Sequence, residues 1–402
     1  MFTENILHER KQKDTVKRKV AVVIPKYGLL GGAEGFAAAL TENLARNRSL
    51  EFHVFANRHQ KGKDKEQIHF HHVPILPFPR FLKTPSFAFF SQRAVARTGV
   101  DVIHAHDRLY RPDLYTLHGI PHRIWVREIR KKHHLSLFDR ATARVEERMV
   151  AGGCRYFLAV SHLTRDIFLR EYPLDPEYVP VVPPGVDSDA VTGRGNEAER
   201  RALRRRFGIS ATSPLIVFAA MNFDIKGLED LLQGLGRLRT RHPEQSFHLL
   251  AVGGDNRRPY MQAAARAGIG DRVTFTGAVP REELAAIYAA GDLYAMLSKF
   301  DTFGMVVLEA MAKGLPAVIS GTVGARDLIK NGVNGYVIET PRDADMVAEV
   351  LFQSLRSERH PLLSNAAMAT AREYSWEKTA GKVAAIYESI IASKRIPPPT
   401  AP

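Results

Sequence analysis

Apolar positions along this chain follow two rhythms. Short, continuous β-branched runs give way to longer stretches with apolar residues three and four apart, as buried parallel strands and amphipathic helices require. The first run, Val20-Ala21-Val22-Val23-Ile24, leads through Gly28 to Gly31-Gly32-Ala33-Glu34 and an Ala/Leu-rich helix over 36–46. Further strands are predicted at 51–56, 100–105, 114–118, 156–160 and 179–182, with helices between most of them and an exposed polar loop over 57–69. Pro183-Pro184-Gly185-Val186-Asp187 and the polar segment to Glu199 interrupt the pattern and mark a linker. The alternation then restarts, with strands at 215–219, 247–252, 273–275, 293–296 and 317–319. Helices open at Lys226-Gly227 and fall near 261–267 and 281–290.

Alternation of this kind builds open parallel sheets with helices on both faces. The expected class is therefore α/β, with two Rossmann-like domains in tandem and a cleft between them. The expected divisions are a disordered basic arm (1–18), an N-terminal domain (19–186) and a C-terminal domain (187–375). A last helix (376–392) packs back on the N-terminal domain, and a proline-rich tail (393–402) is disordered.

Composition adds constraints. At 402 residues the chain exceeds a single core. No apolar run reaches the ~20 residues that cross a bilayer. The polar, basic N-terminus has no apolar signal region, and the single cysteine, Cys154, excludes an internal disulfide or a Cys-rich metal site. A cytoplasmic address is the expectation. Charge is uneven: residues 1–184 carry 30 Lys and Arg against 19 Asp and Glu, the remainder 27 against 24. A basic half calls for an acidic partner.

The stretch with most chemistry is Asp301-Thr302-Phe303-Gly304-Met305-Val306-Val307-Leu308-Glu309, continuing to Lys313-Gly314-Leu315-Pro316. Gly304 lets a backbone approach a ligand, and a helix from Met305 to Lys313 leaves the amides of Met305, Val306 and Val307 to bind an anion. An acid ahead of the helix (Asp301), amides at its start and an acid within it (Glu309) suit a sugar diphosphate. The spacing also fits an ordinary surface helix with an acidic cap. Gly31-Gly32 opens a helix after a buried strand, which favours phosphate binding over a plain tight turn. Lys226 opposes its helix dipole, which argues for a bound anion. His118 ends a strand at the carboxyl edge where ligands bind, and Ser161 reads as a helix cap.

With these elements in order, the chain resembles a retaining glycosyltransferase of family 4 with the GT-B fold over roughly Val20 to Ile391, most similar to lipopolysaccharide core glucosyltransferases. The likeness rests on Gly31-Gly32-Ala33-Glu34, Asp101-Val102-Ile103-His104-Ala105-His106-Asp107, Thr116-Leu117-His118-Gly119, Val160-Ser161, Pro184-Gly185-Val186-Asp187, Lys226-Gly227 and the Asp301–Pro316 stretch. It implies an N-terminal acceptor domain and a C-terminal nucleotide-sugar domain, with UDP-glucose as the favoured donor. It also implies hexose transfer to a glycan or glycolipid, with no metal and no cofactor beyond the nucleotide sugar. By the same resemblance Glu309 holds ribose, Lys226 and the amides of Met305 to Val307 hold the diphosphate, and Gly31 and Gly32 close over it. Asp301 with the Phe303-Gly304 backbone holds sugar hydroxyls, and His118 contacts the donor sugar or the attacking hydroxyl.

Two departures stand out. Asp301 replaces the usual first glutamate, and no arginine precedes Lys226, so Lys226 acts alone or borrows a cation, Arg281 or Arg326.

Residues 121–150 interleave Ile124, Trp125, Ile129, Leu135, Leu137 and Phe138 with Arg123, Arg127, Arg130, Lys131 and Lys132. Upstream, Phe78, Phe81, Phe87, Phe89 and Phe90 mix with Arg80, Lys83 and Arg93. Basic residues with aromatic anchors suit an anionic membrane surface, here the inner face of the cytoplasmic membrane; a solvated basic face is the plainer alternative. A non-catalytic nucleotide-sugar-binding protein remains an alternative. A nucleic-acid-binding protein is disfavoured by the absence of zinc-finger or RNP motifs, so no nucleic-acid partner is expected.

Overall fold

The computed structural model describes residues 17–29, 31–60, 66–356 and 358–395. The arm expected over 1–18 lies outside these residues up to position 16, and Arg18 already belongs to the first strand.

Two six-stranded parallel sheets form two lobes. The N-terminal lobe contains β1 (Arg18–Val23), β2 (Leu50–Ala56), β3 (Ile68–His72), β4 (Val102–Ala105), β5 (Leu114–Leu117) and β6 (Tyr156–Ala159). Their spatial order is β3-β2-β1-β4-β5-β6. The C-terminal lobe contains β7 (Leu215–Ala219), β8 (His248–Val252), β9 (Val273–Gly277), β10 (Leu293–Met296), β11 (Ala317–Ser320) and β12 (Gly335–Ile338), in the order β9-β8-β7-β10-β11-β12. Both orders reverse at the first strand of their lobe, and ligands of open α/β sheets bind outside the strand ends at such a reversal. The α/β expectation of two Rossmann-like halves holds.

The central strands are buried on both faces because their residues are continuously apolar. All five residues of β7 and all four of β10 and β11 are buried. Helices cover the sheets: α1 (Gly32–Leu44), α2 (Lys83–Val95), α3 (Leu137–Ala151) and α4 (His162–Glu171) in the first lobe. The second lobe has α5 (Glu197–Arg206), α6 (Leu228–Arg241), α7 (Arg258–Arg266), α8 (Arg281–Ala290), α9 (Met305–Ala312), α10 (Ala344–Leu355) and α11 (His360–Glu373).

Three expectations need correction. The strand expected over 179–182 is an extended segment with one isolated bridge, Val181 to Ala159; Pro180 and Pro183 have no N–H to give to a ladder. The loop expected over 57–69 overlaps strand β3, whose Ile68-His69-Phe70-His71-His72 pairs in parallel with β2. Its histidines mask the strand pattern. The last helix, α12 (Trp376–Arg395), outruns its expected end at 392, since no proline intervenes before Pro397 and Lys394 ties its end to Asp113 at 2.7 Å.

Helix α12 lies on the N-terminal lobe. The Trp376 ring meets Phe36 edge-on at 5.4 Å, and the Tyr387 hydroxyl lies 2.7 Å from His104 Nδ1. Full burial of a ring of this size contributes about 1.5–3 kcal/mol. The chain passes between lobes at 183–187 and returns at Ser375, where Val186 and Ser375 form a bridge. Gly185 makes this close approach possible, because a Cβ there would overlap the backbone of Ser375 and Trp376.

Candidate active site

The two sheets present their carboxyl edges to one cleft, a concavity of about 440 Å³. The N-terminal lobe lines it with Arg108, His118, Gly119, Ile120, His122 and Trp125. The C-terminal lobe contributes Asn222, Ile225, Lys226, Phe300, Asp301 and Thr302. The lobes also touch directly: Ser161 Oγ, whose side chain caps α4 at Thr164 N–H, donates to the Thr302 carbonyl at 2.6 Å.

Asp301 is fixed by its backbone. Its N–H donates to the Thr322 carbonyl at 3.0 Å, and its carbonyl accepts from Gly324 N–H at 3.0 Å. The chain then turns through Gly304 at φ 88°, ψ 64°, a left-handed conformation that strains other residues, and a Cβ there would press on Val323 Cγ1 at 3.0 Å. Helix α9 follows directly. The Val307 amide donates to the Gly304 carbonyl at 2.9 Å, so it is not available to an anion as expected. The first turn closes tightly because Gly304 turns its carbonyl back over it. Met305 and Val306 retain amides without a backbone partner among the described residues.

Lys226 sits on a short turn ahead of α6. The Asn222 carbonyl accepts its N–H at 3.2 Å, and Asn222 Oδ1 accepts Ile225 N–H at 2.8 Å. Its Nζ forms an ion pair with Asp301 Oδ2. The expected phosphate cation and the expected sugar carboxylate are thus partners in this state. Neither borrowed cation reaches the cleft lining. Arg326 is held by the Gly321 carbonyl at 2.8 Å and Glu339 at 2.9 Å, and Arg281 lies 3.7 Å from Glu309.

Glu309, one turn into α9, has a side chain 26% exposed. Burial pushes its carboxyl above the usual range; Arg281 opposes that shift and Asp187 adds to it. Raised basicity strengthens a carboxylate as a hydrogen-bond acceptor. A second concavity of about 330 Å³ opens at the ends of β8 and β9, lined by Gly253, Gly254, Asp255, Arg257, Phe275 and Gly277. Asp255 Oδ2 accepts Phe223 N–H at 2.8 Å and so braces the Lys226 turn.

Across the cleft, three histidines stack between sheet and solvent. His104 Nε2 meets Thr116 Oγ1 at 2.7 Å, the His104 and His106 rings lie 4.2 Å apart, and His106 Nδ1 meets His118 Nε2 at 2.9 Å. Burial drives all three towards neutrality, His104 and His118 to about 3. His118 therefore offers an uncharged ring nitrogen.

Arg108, absent from the sequence-based set, is the cleft's second cation. Its Nε and Nη2 each lie 2.8 Å from Glu146 Oε2. Burial opposes its charge, but Glu146 and Asp107 more than compensate and hold it protonated. The only sequence signal for it was its place just after β4.

Gly31 and Gly32 are not in the cleft lining. Gly31 caps α1, but a Cβ there would fall within the Glu34 carboxylate, so the helix start faces an acid of its own. A first-turn carboxylate is favoured by the helix dipole and competes with an incoming phosphate.

The 121–150 segment also differs from expectation. Ile124 and Val126 are buried, and Trp125 and Ile129 pack into a small interlobe cluster with Phe300. Arg123, Arg127 and Arg130 pair with Glu147, Glu128 and Asp139. Exposed apolar residues of this region include Phe78 (86%), Phe89 (53%) and Leu137 (67%), with Leu76 and Phe81 less so.

Sequence comparison agrees with this geometry. Residues 30–190 match the Glycosyltransferase Family 4 model and residues 199–372 the Glycosyl transferases group 1 model. The D-inositol 3-phosphate glycosyltransferase of Xylanimonas cellulosilytica is 30% identical over 411 residues, covering 93% of this chain and 94% of that protein. In fold, the chain is similar to WaaG, a glycosyltransferase involved in lipopolysaccharide biosynthesis, at a TM-score of 0.76 and 20% identity, over 92% of this chain and 99% of WaaG. It is also similar to Anabaena HepE in complex with UDP-glucose, at a TM-score of 0.71 and 21% identity, over 92% of this chain and 99% of HepE. The curated relatives do not single out a lipopolysaccharide branch. The chain belongs to the GT-B glycosyltransferases that join a Family 4 domain to a group 1 domain.

Proposed function

We propose that the protein is a retaining, metal-independent hexosyltransferase that moves a sugar from a nucleotide sugar, with UDP-glucose favoured, to a glycan or glycolipid. A lipopolysaccharide core is the first choice of acceptor. The observation that carries this reading is the meeting of Lys226 and Asp301 with His118 and Trp125 in one interlobe cleft, with α9 starting four residues after Asp301.

In this mechanism the donor diphosphate draws Lys226 away from Asp301 and takes the amides of Met305 and Val306. Released from its ion pair, Asp301 accepts hydroxyls of the transferred sugar. Glu309 accepts the ribose hydroxyls, and the second concavity at Phe275 and Gly277 suits the base. Charge growing on the departing diphosphate meets a cation already placed for it, an effect worth about 10²–10³-fold for one well-aimed donor. His118 contacts the donor sugar or the attacking hydroxyl as a neutral partner. The departing phosphate takes the acceptor's proton, so no protein nucleophile, metal or cofactor is needed.

The membrane reading is kept with a shifted footprint. Phe78, Phe89 and Leu137, beside Arg80, Lys83, Arg93 and Arg140, supply exposed rings and cations for an anionic bilayer. No helix among the described residues is long and apolar enough to cross a membrane. We place the enzyme as a peripheral protein on the inner face of the cytoplasmic membrane.

A panel of nucleotide sugars scored for heat protection and for nucleotide release tests the reading. Protection and release with one uridine donor are expected. Protection without release under any acceptor identifies a non-catalytic nucleotide-sugar-binding protein instead, and no protection by any nucleotide removes the donor site.

A further inference from the structure

We infer that the N-terminal side of this cleft is a subsite for an uncharged sugar ring, seated on Trp125 and unsuited to a phosphorylated acceptor. This rests on the glycosyltransferase reading above and sets the chain apart from relatives named for D-inositol 3-phosphate.

The first argument is shape and polarity. Trp125 and Phe300 come from opposite lobes, and their rings meet edge to face at 6.2 Å and 64°, with Ile120 and Ile124 packed in the same cluster. Trp125 is partly exposed and lines the cavity, so it forms an apolar wall there. The same cavity is lined by Asn222, Thr302 and His118, groups that exchange hydrogen bonds without carrying charge. Aliphatic C–H groups of a pyranose suit the negative face of an indole, and its hydroxyls suit amide, hydroxyl and imidazole partners.

The second argument is charge. Each cation of the lining is already matched: Arg108 by Glu146, with Asp107 3.7 Å away, and Lys226 by Asp301. His122 Nε2 is 3.0 Å from Asp139, and that carboxyl, held by Ser136, His122 and Arg130 against its burial, stays ionised down to about 2. Once a donor diphosphate engages Lys226, Asp301 keeps its negative charge in the cleft and turns to sugar hydroxyls. A phosphate monoester brings a charge of about −1.5 to −2. Here it would share the cleft with Asp301, with no uncommitted lining cation to receive it. A neutral sugar meets no such penalty, and Asp301 can then accept a hydroxyl.

Trp125 makes the test direct, since the other tryptophan, Trp376, is buried against Phe36. The full chain is titrated, without donor, with neutral methyl glycosides and disaccharides and with inositol 3-phosphate, following tryptophan emission. A neutral glycoside should shift the emission, and the shift should vanish in Trp125→Phe while Trp376 still reports a folded lobe interface. With UDP-glucose as donor, Trp125→Ala should raise the acceptor KM at least tenfold and leave UDP affinity within twofold, with Trp125→Phe recovering most of the loss. Tighter binding or faster turnover of inositol 3-phosphate than of neutral sugars overturns the inference, as does an unchanged acceptor KM in Trp125→Ala. Saccharide binding at Trp125 without UDP protection keeps this subsite and sinks the donor reading, whereas UDP protection with no saccharide response does the reverse.

Discussion

In the N-terminal lobe the carboxyl edge of the sheet presents neutral histidines and an arginine already committed to Glu146. In the C-terminal lobe the same edge presents a glycine-led helix, Lys226 and Asp301. The strand orders are identical, so backbone topology does not make the difference. It comes from the few residues that follow the strands. One lobe holds its cleft arginine in a pair with Glu146 and offers apolar and neutral contacts beside it; the other pairs Lys226 with Asp301, four residues ahead of the α9 amides. A shared scaffold thus carries two linings, one apolar and neutral, the other built around a lysine–aspartate pair.

Substitutions can break that division of labour. The largest expected effect is at Lys226. Lys226→Ala should lower kcat by about 10²–10³-fold, measured as steady-state nucleotide release, and Asp301→Asn combined with it should cost less than the two losses multiplied. Full multiplicativity would mean that the pair does not act as a unit. Next is Glu309→Ala, expected to weaken UDP binding by about 1.5–3 kcal/mol in calorimetry, the range for a charged hydrogen bond; retained affinity removes the ribose assignment.

The third prediction concerns the histidines. His104 is depressed to about 3 in the folded state against an ordinary value of 6.5. The unfolded chain therefore binds the extra proton between these values, and stability is complete above pH 6.5 and declines as pH falls towards 3. The slope is about 1.4 kcal/mol per pH unit for each such group. His104→Gln should flatten the acid limb of a Tm-against-pH curve by about one proton, and an unchanged limb would assign it elsewhere. The smallest effect separates two membrane footprints. Phe78→Ser with Phe89→Ser should release the protein from anionic vesicles in co-sedimentation. Lys131→Ala with Lys132→Ala should weaken binding by about 1 kcal/mol per cation at most. The reverse ranking would restore the 121–150 footprint.

The two lobes were also unequally legible in sequence. Strands β1, β7 and β11 were readable because parallel strands buried on both faces need unbroken apolar runs. Strand β3 was not, because an edge strand tolerates His69, His71 and His72 on exposed or half-buried positions. Within the site, Gly304 and α9 were readable as local signals. The pairing of Lys226 with Asp301, 75 residues apart, was not, since loop packing decides it. Nor was the place of Arg108 and Trp125 in the cleft, which depends on how the lobes face each other. The glycines at 31 and 32 lie outside the cleft lining, and the acid that follows them turns back onto the helix start, a local contact that spacing alone does not show.

The double crossing at Gly185 and Ser375 has a mechanical corollary. Two chain segments lie side by side there, bridged at Val186 and Ser375, and both covalent passages between the lobes run through that one spot. A side chain added at Gly185 would push against Ser375 and Trp376 and so strain this junction rather than the cleft lining.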